Sequence, residues 1–228
     1  TELQTQREKR RAIARSGIIR RAFCFTTIGV RESATNCRSS PWHNSNMTDR
    51  HDILRTLATG EPVPDTMAHR RLVDEFGLEY TIDGAGLRLK MQLELLDPEF
   101  LSKSVTPAAQ SQLSRLDIHW TLDSTNRYVL DLANSDDFHG YACLAEQQTS
   151  GRGRRGRHWV SPFGKNIYLS VGWVVPADRP LDGLSLAVGT CVANAISSVS
   201  MVQVNLKWPN DVLLNGGKTA GILVEIAG

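Results

Sequence analysis

Gly151-Arg152-Gly153-Arg154-Arg155-Gly156-Arg157-His158-Trp159-Val160-Ser161-Pro162-Phe163-Gly164 is the stretch on which the fold turns. Its first seven residues hold four arginines and three glycines. Glycine permits close backbone approach and unusual torsions. Guanidinium groups pair bidentately with phosphate or carboxylate oxygens. The loop therefore suits an anionic ligand and is expected to be mobile until one arrives. Gly151, Gly153 and Gly156 also satisfy GxGxxG. In a dinucleotide-binding fold that fingerprint must open a helix. Here Trp159 to Gly164 follows, with Pro162 inside it, so a doubly wound dinucleotide fold is excluded. From composition alone, a solvated basic loop or an RNA-binding Arg-Gly segment remains open.

On either side of this loop, short strands and helices alternate. Ile118-His119-Trp120 reads as a strand, and Ser124-Thr125-Asn126 then opens a helix, with Ser or Thr as N-cap. Tyr141 to Glu146 is an apolar strand, and Ile167 to Val175 is another, rich in β-branched and aromatic residues. Leu184 to Val199 is a long helix whose Ala, Ser and Gly positions allow close packing on a sheet. Val204 to Lys207 is a strand. Asp211 to Leu214 and Ile222 to Ile226 pair as a hairpin across Asn215-Gly216-Gly217. The pattern is α+β, with helices packed on a mixed, mainly antiparallel sheet.

The chain has 228 residues, 41% hydrophobic and 22% charged. That is ordinary globular usage, with room for one sizeable core or for a small domain beside a medium one. Cys24, Cys37, Cys143 and Cys191 form no CxxC, so they read as buried or idle thiols in a reducing cytosol. No apolar run approaches the roughly 20 residues of a membrane span, and no signal-peptide stretch begins the chain. The net charge of +2 is uneven. Residues 1–46 carry nine Lys/Arg against three Glu, so the basic character belongs to this arm. The arm is expected to be disordered. A nucleic-acid contact, or translated sequence upstream of a natural start at Met47, are its other readings.

Three more clusters bear on chemistry. Lys207-Trp208-Pro209-Asn210-Asp211 lies between two strands, where a Pro-containing turn can hold polar groups rigidly. Lys218 follows Gly216-Gly217, where a lone lysine is usually a surface residue. Ser124-Thr125-Asn126 could be an ordinary helix cap.

The order of these elements is specific. Ser124–Asn126, Gln148 to Arg157, Trp159 to Asn166, Lys207–Asp211 and Lys218–Glu225 together resemble the catalytic domain of the biotin protein ligases, over about half the chain. The resemblance implies a class II aminoacyl-tRNA-synthetase-like α+β domain over 116–228, cytoplasmic and without membrane association. It implies biotin and ATP as substrates, with Mg2+, and a lysine of the biotin carboxyl carrier protein of acetyl-CoA carboxylase as acceptor. By position, biotin falls to Ser124, Thr125, Asn126, Gln148, Arg152, Gly153, Arg154 and Lys218. ATP falls to Arg154, Trp159, Lys207, Asn210 and Asp211. Arg154 and Lys218 are the expected catalytic residues, and no resident metal site is expected. A lipoate-type acyl-adenylate ligase is the enzymatic alternative.

Bifunctional members of that family carry a DNA-binding winged helix-turn-helix ahead of the catalytic domain. Residues 47–92 resemble its two ends: "DILRTLATGE" its first helix, "RRLVDEFGLEYTIDGAGLRL" the end of its last helix plus the wing. Two short helices, ended at Gly60 and Gly77, and a hairpin from Glu79 to Leu89 are expected. Only Pro62 to Ala68 stands where the recognition helix would lie, so DNA binding is not expected. A biotin-responsive repressor remnant without ligase activity is the corresponding alternative, and a homodimer is an expected assembly. Residues 93–115 read as a linker with a short helix. Gly228 falls before the family's remaining sheet and its small β-barrel, so the catalytic domain reads as incomplete at its C-terminal side.

Overall fold

The computed structural model describes residues 23–25, 48–136, 138–175, 180–199 and 202–226. The expectations for the rest of the basic arm, including Met47 and Cys37, lie outside these residues. Strand β1 is Phe23–Phe25. Helices α1 (Thr48–Ala58) and α2 (Met67–Glu75) precede the hairpin β2 (Tyr80–Asp83) and β3 (Gly86–Leu89). Helices α3 (Pro98–Ser104) and α4 (Pro107–Gln110) lead into β4 (Arg115–His119), α5 (Thr125–Asp131), β5 (Tyr141–Ala145) and β6 (Ile167–Val171). Then come α6 (Leu184–Val199), β7 (Val204–Lys207), β8 (Asp211–Leu214) and β9 (Gly217–Ile222).

The N-terminal unit follows its turn chemistry. Thr66 caps α2 by accepting a hydrogen bond from the His69 amide at 3.1 Å, and Gly77, at φ +63, ends the turn after it. Asp83 Oδ1 accepts from the Ala85 amide at the hairpin bend. Leu57, Val63, Val73, Leu87 and Leu89 form a small core of the unit's own. Between α1 and α2 there is no third helix, as expected from the shortness of that segment.

The unit is not free-standing. Leu54 of α1 and Leu72 of α2 are buried with Phe163 from the segment after the arginine loop. Trp120 stacks on Phe163 at 5.7 Å and on His51 at 4.1 Å, with the Arg55 guanidinium 5.2 Å from the Trp120 ring centre. Each fully buried side chain of this size contributes about 1.5–3 kcal/mol.

Seven strands form the main sheet, in the order β4-β5-β6-β1-β9-β8-β7. It has two halves. In one, β4 pairs parallel with β5, β5 pairs antiparallel with β6, and α5 packs on β5 and β6. In the other, β7, β8 and β9 form an antiparallel meander covered by α6. Val192 and Ile196 of α6 meet Val212, Ala220 and Ile222 there. Strand β1 joins the halves, parallel to both β6 and β9.

Three sequence expectations need correction. Phe23–Phe25 is a strand at the centre of the sheet, so the arm is not disordered throughout; three residues are too few to show a strand period. The sheet is mixed, but its strand pairings divide evenly between parallel and antiparallel, because β1 adds two parallel partners. The return strand of the last hairpin is Gly217–Ile222, not Ile222 to Ile226. Asn215 (φ +49) and Gly216 (φ +78) supply a two-residue turn. Pairing therefore resumes at Gly217 and places Lys218 inside the strand, opposite Leu213.

Candidate active site across the sheet seam

The arginine loop leaves the end of β5 and folds back on itself. Arg152 bridges to His158, and the Gly153 amide donates to the Arg157 carbonyl at 2.7 Å. A single 3-10 turn spans Arg154–Gly156, with Arg155 at φ +59. No helix follows, in keeping with the rejection of a dinucleotide loop. Gly151 is needed for another reason. A Cβ there would stand 2.6 Å from the Trp159 carbonyl oxygen and 2.7 Å from Ser161 Oγ.

Opposite the loop, the turn between β7 and β8 presents Lys207 to Asp211, with a cis Trp208–Pro209 peptide. Asn210 is held on both sides. Its side-chain amide donates to the Ile222 carbonyl at 2.9 Å, and the Ile222 amide donates to its carbonyl at 2.8 Å. Asn210 Oδ1 in turn accepts from Arg154 Nη1 at 3.4 Å, across the seam.

A cavity of about 520 Å³ opens between these two walls. Arg152, Gly153, Arg154 and Trp159 line one side, and Lys207, Asn210, Asp211 and Lys218 the other. Lys218 Nζ pairs with Asp211 Oδ1 at 2.7 Å and lies 5.2 Å from the Trp159 ring centre. The Trp159 ring reaches Gly221 of β9, where a Cβ would be only 3.4 Å from it. These eight expected residues thus surround one positively charged cleft. Arg155, Arg157, His158 and Trp208 line it as well, beyond the residues expected from the sequence. Asp211 is the only carboxylate among the described lining residues.

Ser124, Thr125, Asn126 and Gln148 do not line this cavity. They are buried in a hydrogen-bonded cluster behind it. Ser124 caps α5, accepting from the Arg127 amide at 3.5 Å. Gln148 Oε1 accepts from the Thr125 amide at 2.9 Å and lies 3.1 Å from Thr125 Oγ1. Gln148 Nε2 donates to Ser161 Oγ, which donates to the Trp159 carbonyl, both at 3.1 Å. Ser170 Oγ lies 2.9 Å from Thr125 Oγ1 and 2.5 Å from Asn126 Oδ1. Asn126 Nδ2 donates to Glu225 Oε2 at 2.7 Å. Trp159 therefore belongs to both groups: its ring lines the cavity, and its carbonyl begins the buried network. Ser161 and Ser170 are not among the residues that the sequence motifs single out. For Ser170 the signal was a polar residue on the inward face of an apolar strand, beside buried Tyr168.

A second buried polar group sits under α5. Asp117 accepts from the Tyr141 hydroxyl and from Arg115 Nε. Burial, then the hydrogen bond to Asp117, raise the Tyr141 hydroxyl far above its ordinary range. Burial likewise raises the Cys143 thiol, so that cysteine is inert, as expected.

The model of the biotin/lipoate A/B protein ligase family matches residues 119–227, the span that carries the cavity and the buried network. These residues belong to that family. Bifunctional ligase/repressor BirA of Salmonella typhimurium is 38% identical over 162 residues, covering 70% of this chain and 48% of the relative. Biotin--[acetyl-CoA-carboxylase] ligase of Mycobacterium tuberculosis is 44% identical over 126 residues, covering 52% of this chain and 47% of the relative. Among solved structures, a biotin protein ligase from Aquifex aeolicus in complex with biotin and ATP is 32% identical, with a TM-score of 0.40 over 46% of this chain and 43% of that chain. The chain thus spans about half the length of the curated relatives it matches. No helix among the described residues is long and apolar enough to cross a membrane.

Proposed function

We propose that this ligase domain activates biotin with ATP and passes it to a lysine of a biotin carboxyl carrier protein. The carrying observation is the cavity in which Arg152, Arg154, Lys207 and Lys218 converge from two half-sheets on one cleft. In the first step a carboxylate oxygen of biotin attacks the α-phosphorus of ATP, a new P–O bond forms, and pyrophosphate leaves. In the second, a carrier lysine amine attacks the acyl carbon, an amide forms, and AMP leaves with the bonding pair. Bringing carboxylate and triphosphate together requires fixed positive charge where anionic charge accumulates. Lys218, positioned by Asp211 and the Trp159 face, suits the reacting phosphate. Arg154, on the glycine-hinged loop, suits a closing contact over the mixed anhydride.

The buried cluster of Ser124, Thr125, Asn126 and Gln148 is proposed as the end that receives the biotin ring, with Arg152 and Gly153 along its path. Lys207, Asn210 and Asp211 are proposed to serve the nucleotide. Mg2+ would arrive with ATP, since magnesium is commonly held by one or two carboxylates plus substrate phosphates, and Asp211 fits such a role. The acetyl-CoA carboxylase carrier is proposed from the name of the Mycobacterium tuberculosis relative, and a reducing cytosol from the scattered thiols. The two-helix unit before the domain is read as a structural partner of Trp120 and Phe163 rather than a DNA reader. The test is pyrophosphate release from MgATP with biotin or lipoate as the acid. Biotin-dependent release is expected; release with lipoate alone would overturn the substrate.

A further inference from the structure

The hydroxyl chain inside the buried network has fewer hydroxyl protons than oxygen–oxygen contacts. Gln148 is fixed with Oε1 toward Thr125, because a backbone amide donates to that atom and Nε2 donates to Ser161. Asn126 is fixed with Oδ1 toward Ser170, because Nδ2 donates to the Glu225 carboxylate. Between these two acceptors run three oxygen–oxygen contacts: Gln148 Oε1 to Thr125 Oγ1, Thr125 Oγ1 to Ser170 Oγ, and Ser170 Oγ to Asn126 Oδ1. Two hydroxyls supply two protons for three contacts. The shortest contact, at 2.5 Å, takes the Ser170 proton. Thr125 then donates either to Ser170 or to Gln148, and no hydroxyl proton in the chain is left over.

We propose that Ser170 is a positioning and specificity-determining residue of the domain: it locks this hydroxyl chain so that Thr125, Asn126 and Gln148 offer a ligand lone pairs and no hydroxyl donor. On its oxygen side such a cluster favours a ligand edge that carries N–H groups over an isostere with oxygen there. The inference rests on the biotin reading above, since the cyclic urea of biotin carries two ring N–H donors. Ser170 lies on β6, is fully buried, and does not line the cavity. It acts through Thr125 and Asn126.

Discrimination tests this. The probes are biotin and the two cyclic carbamate isosteres in which one or other ring N–H is replaced by oxygen. Their equilibrium affinities are measured for the chain and for Ser170→Ala and Ser170→Cys. The unaltered chain should prefer biotin over at least one isostere by roughly 100-fold, because a site built to bond an N–H penalises its absence strongly. Ser170→Ala leaves Gln148 Oε1 as the one chain acceptor for the Thr125 hydroxyl and leaves Asn126 held only through Glu225, so Thr125 and Asn126 can turn toward the ligand and the preference should shrink about tenfold. Ser170→Cys nearly keeps the volume but offers only a weak donor, and should shrink it similarly. A merely structural serine would lower affinity for all three ligands together. An unchanged ratio in whichever variant folds overturns the inference, while biotin binding itself survives. If the unaltered chain binds none of the three ligands, the biotin reading fails first, and this inference with it.

Discussion

Arg154 and Lys218 stand on opposite walls of one cleft, and their different attachments predict different failures. Arg154 is exposed and touches Asn210 through one long hydrogen bond, so it can swing. Arg154→Gly removes the contact and adds backbone freedom, and both changes favour an open loop. Adenylate release should speed up, as followed by rapid dilution of preformed product. Lys218 is held at a fixed place by Asp211 and Trp159. Lys218→Ala should slow adenylate formation by about 10²-fold or more, on the scale of losing one electrostatic stabiliser. Single-turnover kinetics separate the two effects, and an unchanged formation rate in Lys218→Ala would remove that residue from the chemistry. At Gly151 the constraint is steric. Gly151→Ala puts a methyl against the Trp159 carbonyl and Ser161 Oγ, at about 1–3 kcal/mol of overpacking. A thermal melt would show the loss, and Gln148 would be displaced with it.

Strand β4 and the elements around it set a pH limit. His119 is partly buried against Tyr128, and its pKa is lowered from 6.5, first by burial and then by Arg115, with Asp117 opposing. The folded chain therefore binds fewer protons than the unfolded chain below the ordinary histidine range. Stability is retained above about pH 6.5 and declines as pH falls below it. His51, stacked on Trp120, is shifted in the same direction, first by burial and then by Arg55 and Arg50. Denaturant midpoints at pH 7.5 and 5.5 should differ, and His119→Gln should narrow the difference; an equal shift in that variant would assign the effect elsewhere. The elements themselves were largely legible. Helix α6 and strands β7 and β8 have the bounds that periodicity gave, because each is a long or cleanly alternating run ended by a turn residue. Strand β9 was misplaced because its first half, Gly217-Lys218-Thr219, is polar and lies at the exposed end of the hairpin. Strand β1 was missed because its pairing comes wholly from distant partners.

For the whole molecule, two couplings matter. Phe163 connects the helical unit to the ligase domain through Leu54, Leu72 and Trp120. It lies two residues after Ser161, which holds Gln148. Phe163→Ala should cost about 3–5 kcal/mol and loosen both units at once, read as a single lowered melting transition. The two half-sheets meet at the cavity, so a ligand touching both walls should stabilise the chain by mass action, about 2.7 kcal/mol at a hundred times its Kd. The order of motifs along the chain revealed both walls of this cleft. It could not show that the serine–threonine–asparagine end is buried behind Trp159. That depends on β6 delivering Ser170, and on Glu225 reaching Asn126 from the far half of the sheet. The central claim is that these two groups are ends of one site. A crystal structure with a non-hydrolysable biotinyl-adenylate analogue tests it most directly. The bicyclic ring should lie against Thr125, Asn126 and Gln148, and the acyl-phosphate mimic between Arg154 and Lys218. A ring bound away from that cluster, or a phosphate mimic out of reach of both cations, would contradict it.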